Sequence, residues 1–173
     1  MKQLKACWVD KEPCSLTELR TIERFISYEA RLLNQGHYLE WCELFTDDGF
    51  YWVPSTPDQK DPEDTISIIY ENKTILAVRT KRLQEGRAHS MVPMPQTVRI
   101  ISNIEVMMVD SNQDEFHVTS NFIFLEHRDE SNRYFGGDME HILRRNNDQF
   151  QIMMKRVNLI NSDSTHEFMA IPF

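Results

Sequence analysis

The chain has 173 residues, 40% of them hydrophobic and 27% charged, with a formal net charge of -8. That length suits one domain at about 100–200 residues each, and the balance excludes a disordered chain. The negative charge argues against nucleic acid as a partner. No run approaches the roughly 18 apolar residues of a membrane helix, and Met1–Lys5 lacks the apolar stretch of a signal peptide. Cys7, Cys14 and Cys42 form no disulfide framework, so a cytoplasmic protein is expected.

Residues 1–14, with Trp8 and Pro13, read as a loose arm, and residues 15–173 as one domain. Ser15-Leu16-Thr17-Glu18 is a capping box that starts a helix. Leu19, Ile22, Ile26, Ala30 and Leu33 mark its buried stripe, and Asn34-Gln35-Gly36 stops it. A short helix over Tyr38–Phe45 should turn Leu39, Cys42 and Phe45 inward. Thr46-Asp47-Asp48-Gly49 reads as a turn, Phe50–Pro54 as a strand and 55–64 as a loop. Thr65–Tyr70 suits a strand or an irregular lead-in. Lys73–Leu83 should be a helix with Leu76, Arg79 (or Thr80) and Leu83 along one side, followed by a loop over 84–96.

The remaining sequence is strand-rich. Thr97–Val109, Glu115–His127, Tyr134–Arg145 and Phe150–Asn161 are long β-forming runs. Turn-forming stretches at Asp110–Asp114, Asp129–Arg133 and Asn146–Gln149 separate them, so an antiparallel meander is expected. Helices followed by a sheet indicate an α+β fold. Two of the runs carry apolar residues at both parities. Phe150, Ile152 and Met154 oppose Met153, Val157 and Leu159, and Ile101, Met107 and Val109 oppose Ile100, Ile104, Val106 and Met108. Helices cover one face of such a sheet, so the other is expected to meet a partner protein.

Residues suited to chemistry are sparse. The six histidines show no zinc or iron spacing, and His117 and His127, on one face of one strand, are too far apart to share an ion at about 3.3 Å per residue. His141, on the next strand, is placed to approach one of them. No Cys-x-His exists, so a Rieske cluster cannot be built here, and no helical His spacing supports a two-His-one-carboxylate iron. Asp47-Asp48 suits a solvated turn better than a general base. Gly136-Gly137 suits a bulge or a close approach, and Cys42 a small core residue. Of the pairs Arg144-Arg145 and Lys155-Arg156, one member each should point inward.

These residues fall into blocks that resemble the β subunits of aromatic-ring-hydroxylating dioxygenases, the small subunits of Rieske non-haem iron oxygenases. The blocks are Tyr28-Glu29-Ala30-Arg31-Leu32-Leu33, Trp41-Cys42-Glu43-Leu44-Phe45-Thr46-Asp47-Asp48, Tyr51-Trp52-Val53-Pro54, Arg79–Gly86 and Thr97–Asn103. The most specific are Tyr134-Phe135-Gly136-Gly137, His141–Arg145 and Lys155–Asn161. The sequence departs from the family at His89-Ser90-Met91-Val92-Pro93-Met94-Pro95.

The resemblance implies a cone similar to nuclear transport factor 2, with N-terminal helices packed on a curved, mostly antiparallel sheet. It implies no catalytic residue, metal or cofactor on this chain. The Rieske [2Fe–2S] cluster and the mononuclear non-haem iron would lie on a large α subunit, with three large and three small subunits assembled and the small ones associating as a trimer. Such a cone should be packed, with Phe25, Phe45, Phe122 and Phe124 as fillers. An open polar pocket with Asp47 or Asp48 and a histidine would instead indicate a stand-alone isomerase or dehydratase, or a small-molecule-binding protein. Arg99, Arg145 and Arg156 are the candidate subunit-interface residues, expected beside the second apolar face.

Overall fold

The computed structural model describes residues 14–85, 93–110, 114–147, 149–166 and 169–173, with backbone alone for 108–110. The arm before Cys14 and the stretch His89–Val92 of the divergent loop lie outside the described residues. Helix α1 spans Leu16–Asn34, α2 Tyr38–Glu43 and α3 Lys73–Gln84. Strands β1 (Phe45–Val53) and β2 (Ile69–Asn72) precede the meander of β3 (Gln96–Asp110), β4 (Glu115–Arg128), β5 (Ser131–Asn146) and β6 (Gln149–Leu159).

The six strands form one curved sheet in the order β2-β1-β6-β5-β4-β3. Every pairing is antiparallel except that of β1 with β6, which is parallel. The architecture is the expected α+β cone. α1 is capped as expected: Ser15 Oγ accepts from the Glu18 N–H and the Glu18 carboxylate accepts from the Ser15 N–H. Its buried stripe is Ile22, Ile26, Glu29, Leu32 and Leu33, so a carboxylate stands among the apolar positions.

Two local readings change. α2 ends at Glu43, and β1 already begins at Phe45, so the expected turn at 46–49 is strand. Gly49 is there for closeness and not for positive φ: a Cβ would lie 2.7 Å from the Ile152 carbonyl of β6. On α3 Leu76, Thr80 and Leu83 are buried, the second of the two alternatives expected there, while Arg79 pairs with Glu71.

The second change concerns sheet parity. β6 carries an extra residue at Met153, because Ile142 pairs with Met154 and Leu143 with Ile152. A bulge reverses the side-chain alternation. Phe150 and Ile152 therefore share the inner face with Val157 and Leu159, and all four are buried. β3 shifts likewise between Ser102 and Glu105, where Asn103 has φ 52°. The doubly apolar pattern was in large part a one-faced strand read across a bulge. On the outer face the exposed apolar side chains Val98, Ile100, Ile123 and Tyr134 remain. Ile100 pairs with Ile123, and Val98 and Tyr134 flank Leu125, so they form one patch.

Candidate functional site

Inside the cone the space is filled by aromatic rings. Phe45, Phe122 and Phe124 are buried, and Phe25 packs edge-on against Phe150, as expected of fillers. Phe173 joins them, with ring centroids 6.0 Å from Phe122, 5.5 Å from Phe124 and 5.2 Å from Phe135. Residues 170–173 are buried, and this segment closes the cone. The sequence offered no signal for it beyond a short apolar run.

One ionic cluster lies in this interior. Glu29 Oε1 accepts from Lys155 Nζ at 2.7 Å and from Trp41 Nε1 at 2.9 Å, and Oε2 lies 3.0 Å from His141 Nε2. Glu29, His141 and Lys155 are essentially inaccessible to solvent. Burial alone would push the Glu29 carboxyl up, but the charges of Lys155 and His141 and their hydrogen bonds hold it well below the usual carboxylate range. Burial pulls the Lys155 ammonium down, against the opposing pull of Glu29. Glu29 was not among the stripe residues expected from the sequence; its helical spacing from Ile22 and Ile26 is the signal that marks it. Lys155 is the inward member of its pair.

His141 does not meet His117 or His127. It points inward, whereas His117 lies on the outer face, 3.2 Å from Glu140 Oε2. His127 pairs with Asn132. Glu140 also stands 3.6 Å from Arg156, and Asn158 donates to both Asp138 and Glu140. The His117 hydrogen bond, followed against burial by the charge of Arg156, holds the Glu140 carboxyl below its ordinary value. Asp47 and Asp48 are exposed, and Asp47 pairs with Lys73 at 3.2 Å.

The three arginines part company. Arg99 is 6% exposed and faces inward, donating to Asn34, Thr97 and the Pro172 carbonyl. Arg145 also turns inward, pairing with Glu18 at 2.9 Å and lying over Phe116 and Phe150. Arg156 alone projects from the outer face. It stacks 4.4 Å over Trp52 and donates to the Gln59 carbonyl and Asn158. The Gln59 side chain in turn bonds Ser55, Thr65 and Ser67, and Ser67 accepts from Trp52 Nε1. Arg156 thus fastens the 54–68 loop over Trp52. Of the three, Arg156 alone lies on the outer face of the sheet.

Among the described residues two recesses lie outside the ring-filled interior. One, of about 520 Å³, is lined by residues including Ser55, Ile68, Arg79, Asp163 and His166. The other, of about 460 Å³, lies by Asn103, Glu105, Asn121 and Asp138. Neither brings Asp47 or Asp48 to a histidine, the arrangement a stand-alone isomerase or dehydratase would need. Among the described residues no group of three or more His, Cys, Asp and Glu is placed to hold a metal ion. No helix among them is long and apolar enough to cross a membrane.

Known proteins share this fold. The family model described as "Ring hydroxylating beta subunit" matches residues 28–164. The small oxygenase component of the p-cumate 2,3-dioxygenase system of Pseudomonas putida is 29% identical over 164 residues, covering 88% of this chain and 90% of that protein. The crystal structure of the β subunit of benzoate 1,2-dioxygenase from Burkholderia mallei superposes with a TM-score of 0.70 at 27% identity, covering 87% of this chain and 93% of that one. A protein from Novosphingobium aromaticivorans, like nuclear transport factor 2 and with a cystatin-like fold, aligns at a TM-score of 0.60 and 15% identity over 84% of each chain, which shows the fold alone. With a ring-filled cone and a family match that runs from α1 to beyond the last strand, the chain belongs to the ring-hydroxylating dioxygenase β subunits.

Proposed function

We propose that this chain is the non-catalytic structural subunit of a cytoplasmic, multicomponent aromatic-ring-hydroxylating dioxygenase built from three large and three small subunits. The match to the β-subunit family over residues 28–164 carries this reading. A β subunit accompanies a large oxygenase subunit, and it is there that the Rieske [2Fe–2S] cluster and the mononuclear iron reside. The complex would hydroxylate an aromatic ring in aromatic-compound catabolism, the substrate class named for the p-cumate and benzoate systems. Residues 15–173 serve as one domain, with 1–14 as an arm.

The outer sheet face is the surface best suited to contacts between subunits. Val98, Ile100, Ile123 and Tyr134 leave apolar area in water, which favours burial at about 25 cal/mol per Å². Arg156 and Glu140 lie on the same face and would fix register with a neighbouring subunit. Arg99 and Arg145, turned inward, support the interface indirectly by holding the cone closed. Co-expression with a large subunit carrying Cys-x-His pairs tests the proposal. The two should co-elute at the mass of three large plus three small chains, and omitting this chain should abolish that assembly. A chain that stays monomeric beside a fully active large subunit would remove the basis of the proposal.

A further inference from the structure

One register row crosses the whole outer face of the sheet. It runs from Tyr70 on β2 through Trp52 on β1, Arg156 on β6, Glu140 on β5 and Thr119 on β4 to Glu105 on β3. Its two ends differ in shape and in charge. At the β3 end the surface is hollow: the recess of about 460 Å³ lies there, beside Glu105, Thr119, Asn121 and Asp138. Part of its wall is Asn103, where the β3–β4 register shifts and the backbone is left-handed. Asp138 accepts from the Asn158 amide at 2.6 Å, and among the described residues neither it nor Glu105 is ion-paired.

At the β2 end the surface projects. Tyr70 is 47% exposed, and the Phe50 ring steadies it edge-on at 5.7 Å. Beside it Arg156 lies over Trp52. Arg156 Nη1 stands 3.6 Å from Glu140, too far for a hydrogen bond, so that nitrogen keeps its donors. A ring with a hydroxyl tip and a guanidinium thus stand at one end of the row, and a hollow with two carboxylates at the other.

The sheet curves around the ring-filled interior, so its outer face is convex and its two flanks look in different directions. On a flat face one two-fold contact would satisfy both ends with a single partner. On a convex face each flank meets a different neighbour, and contacts of that kind run head to tail and close into rings. Like-to-like contact of the β3 flanks would set Glu105 and Asp138 against their own copies. We propose that the small subunits join head to tail across this face, Tyr70 of one copy seated in the Asn121 recess of the next, with Arg156 facing that copy's Glu105. The Tyr70 ring fills the hollow and its hydroxyl donates to a carboxylate, an anchor of the kind that dominates interfaces. The contact presupposes the trimer proposed above and names its occupant as a second copy of this chain.

Cysteine cross-linking in the complex co-expressed with its large subunit tests the contact. The chains carry Cys7→Ser and Cys14→Ser, and Cys42 stays because it is buried. The protein is kept concentrated enough for variants at the contact to remain assembled. Complexes containing both Tyr70→Cys chains and Asn121→Cys chains should give covalent pairs with a short bis-maleimide, and complexes with either variant alone should give none. Chains carrying both changes should give covalent trimers. Without any cross-linker, Tyr70→Ala should weaken self-association of the full chain about tenfold or more in sedimentation, and Tyr70→Phe by less. Pairs from either single variant alone would show a like-to-like contact and overturn the proposal. A complex that assembles but yields no pairs would overturn it and leave the scaffold role standing, as would Tyr70→Ala associating like the parent. A chain that is monomeric with and without its large subunit would overturn both.

Discussion

Glu29 shows how a single side chain can both hold and endanger a fold. Its carboxylate joins α1 to α2 through Trp41 and to the two central strands through His141 and Lys155. Its depressed pKa stabilises the folded chain fully above the unfolded value of about 4.3, and that contribution is lost as pH falls toward the folded value. Lys155 works with the opposite sign, since a lowered ammonium pKa costs stability at neutral pH and the cost fades in alkali. Glu29→Gln should therefore lower unfolding free energy at pH 7 by about 3–5 kcal/mol, because it leaves Lys155 buried without its counter-charge. The same change should flatten the acid limb of the stability curve between about pH 4 and pH 2. Urea titrations of both proteins across pH measure each effect, and an unchanged acid limb would refute the assignment of acid sensitivity to this carboxyl. The stripe expected from the sequence, Leu19, Ile22, Ile26, Ala30 and Leu33, passed over Glu29, because a carboxylate is not an apolar marker. Nor did the sequence disclose the partners of Glu29, since His141 and Lys155 are more than a hundred positions away and meet it only through the sheet.

Elements were legible where local chemistry decides them and obscure where a neighbour does. The capping box of α1 and the meander follow from side-chain chemistry and alternation, and both stand in the structure. The bulges at Asn103 and Met153 do not follow, because a bulge is fixed by the facing strand, and alternation then misassigns every residue beyond it. Gly49 belongs to the same class, whereas the close approach expected at Gly136-Gly137 is present at Gly137. A Cβ on Gly137 would fall 1.9 Å from the Asn158 carbonyl of β6. The β4–β5 hairpin is the clearest element to test. Asp129 and Glu130 both have positive φ, at 48° and 63°. A two-residue hairpin loop of this kind prefers glycine at its second position. Left-handed backbone costs a non-glycine residue about 1 kcal/mol, partly offset in glycine by a freer unfolded chain. Glu130→Gly should raise stability by a few tenths to about 1 kcal/mol, seen as a higher thermal midpoint. A lower midpoint would mean that the Glu130 side chain matters more than its backbone.

For the molecule as a whole, family and fold could be recognised from the order of sequence blocks, whereas the surface that meets other subunits could not. Arg99 and Arg145 were expected at that surface and turned out to face the interior, since which parity points inward depends on the bulges. The exposed patch of Val98, Ile100, Ile123 and Tyr134 is the better guide. Ile123 is 58% exposed, so Ile123→Lys should leave the monomer's stability nearly unchanged. It should weaken subunit association by about tenfold or more, roughly 1.4 kcal/mol, measured by sedimentation of the complex. Association equal to the parent's would move the interface elsewhere. The parallel pairing of β1 with β6 has a further consequence, for biosynthesis. Tyr51 lies opposite Lys155 in that pairing, so β1 leaves the ribosome long before the strand that will flank it. At about 5–20 residues per second that delay is roughly 5–20 s. Its antiparallel neighbour β2 is only four residues long. Through that interval the nascent chain carries Phe50, Tyr51, Trp52 and Val53 on a strand with an open edge, the kind of segment that recruits other chains unless a chaperone shields it.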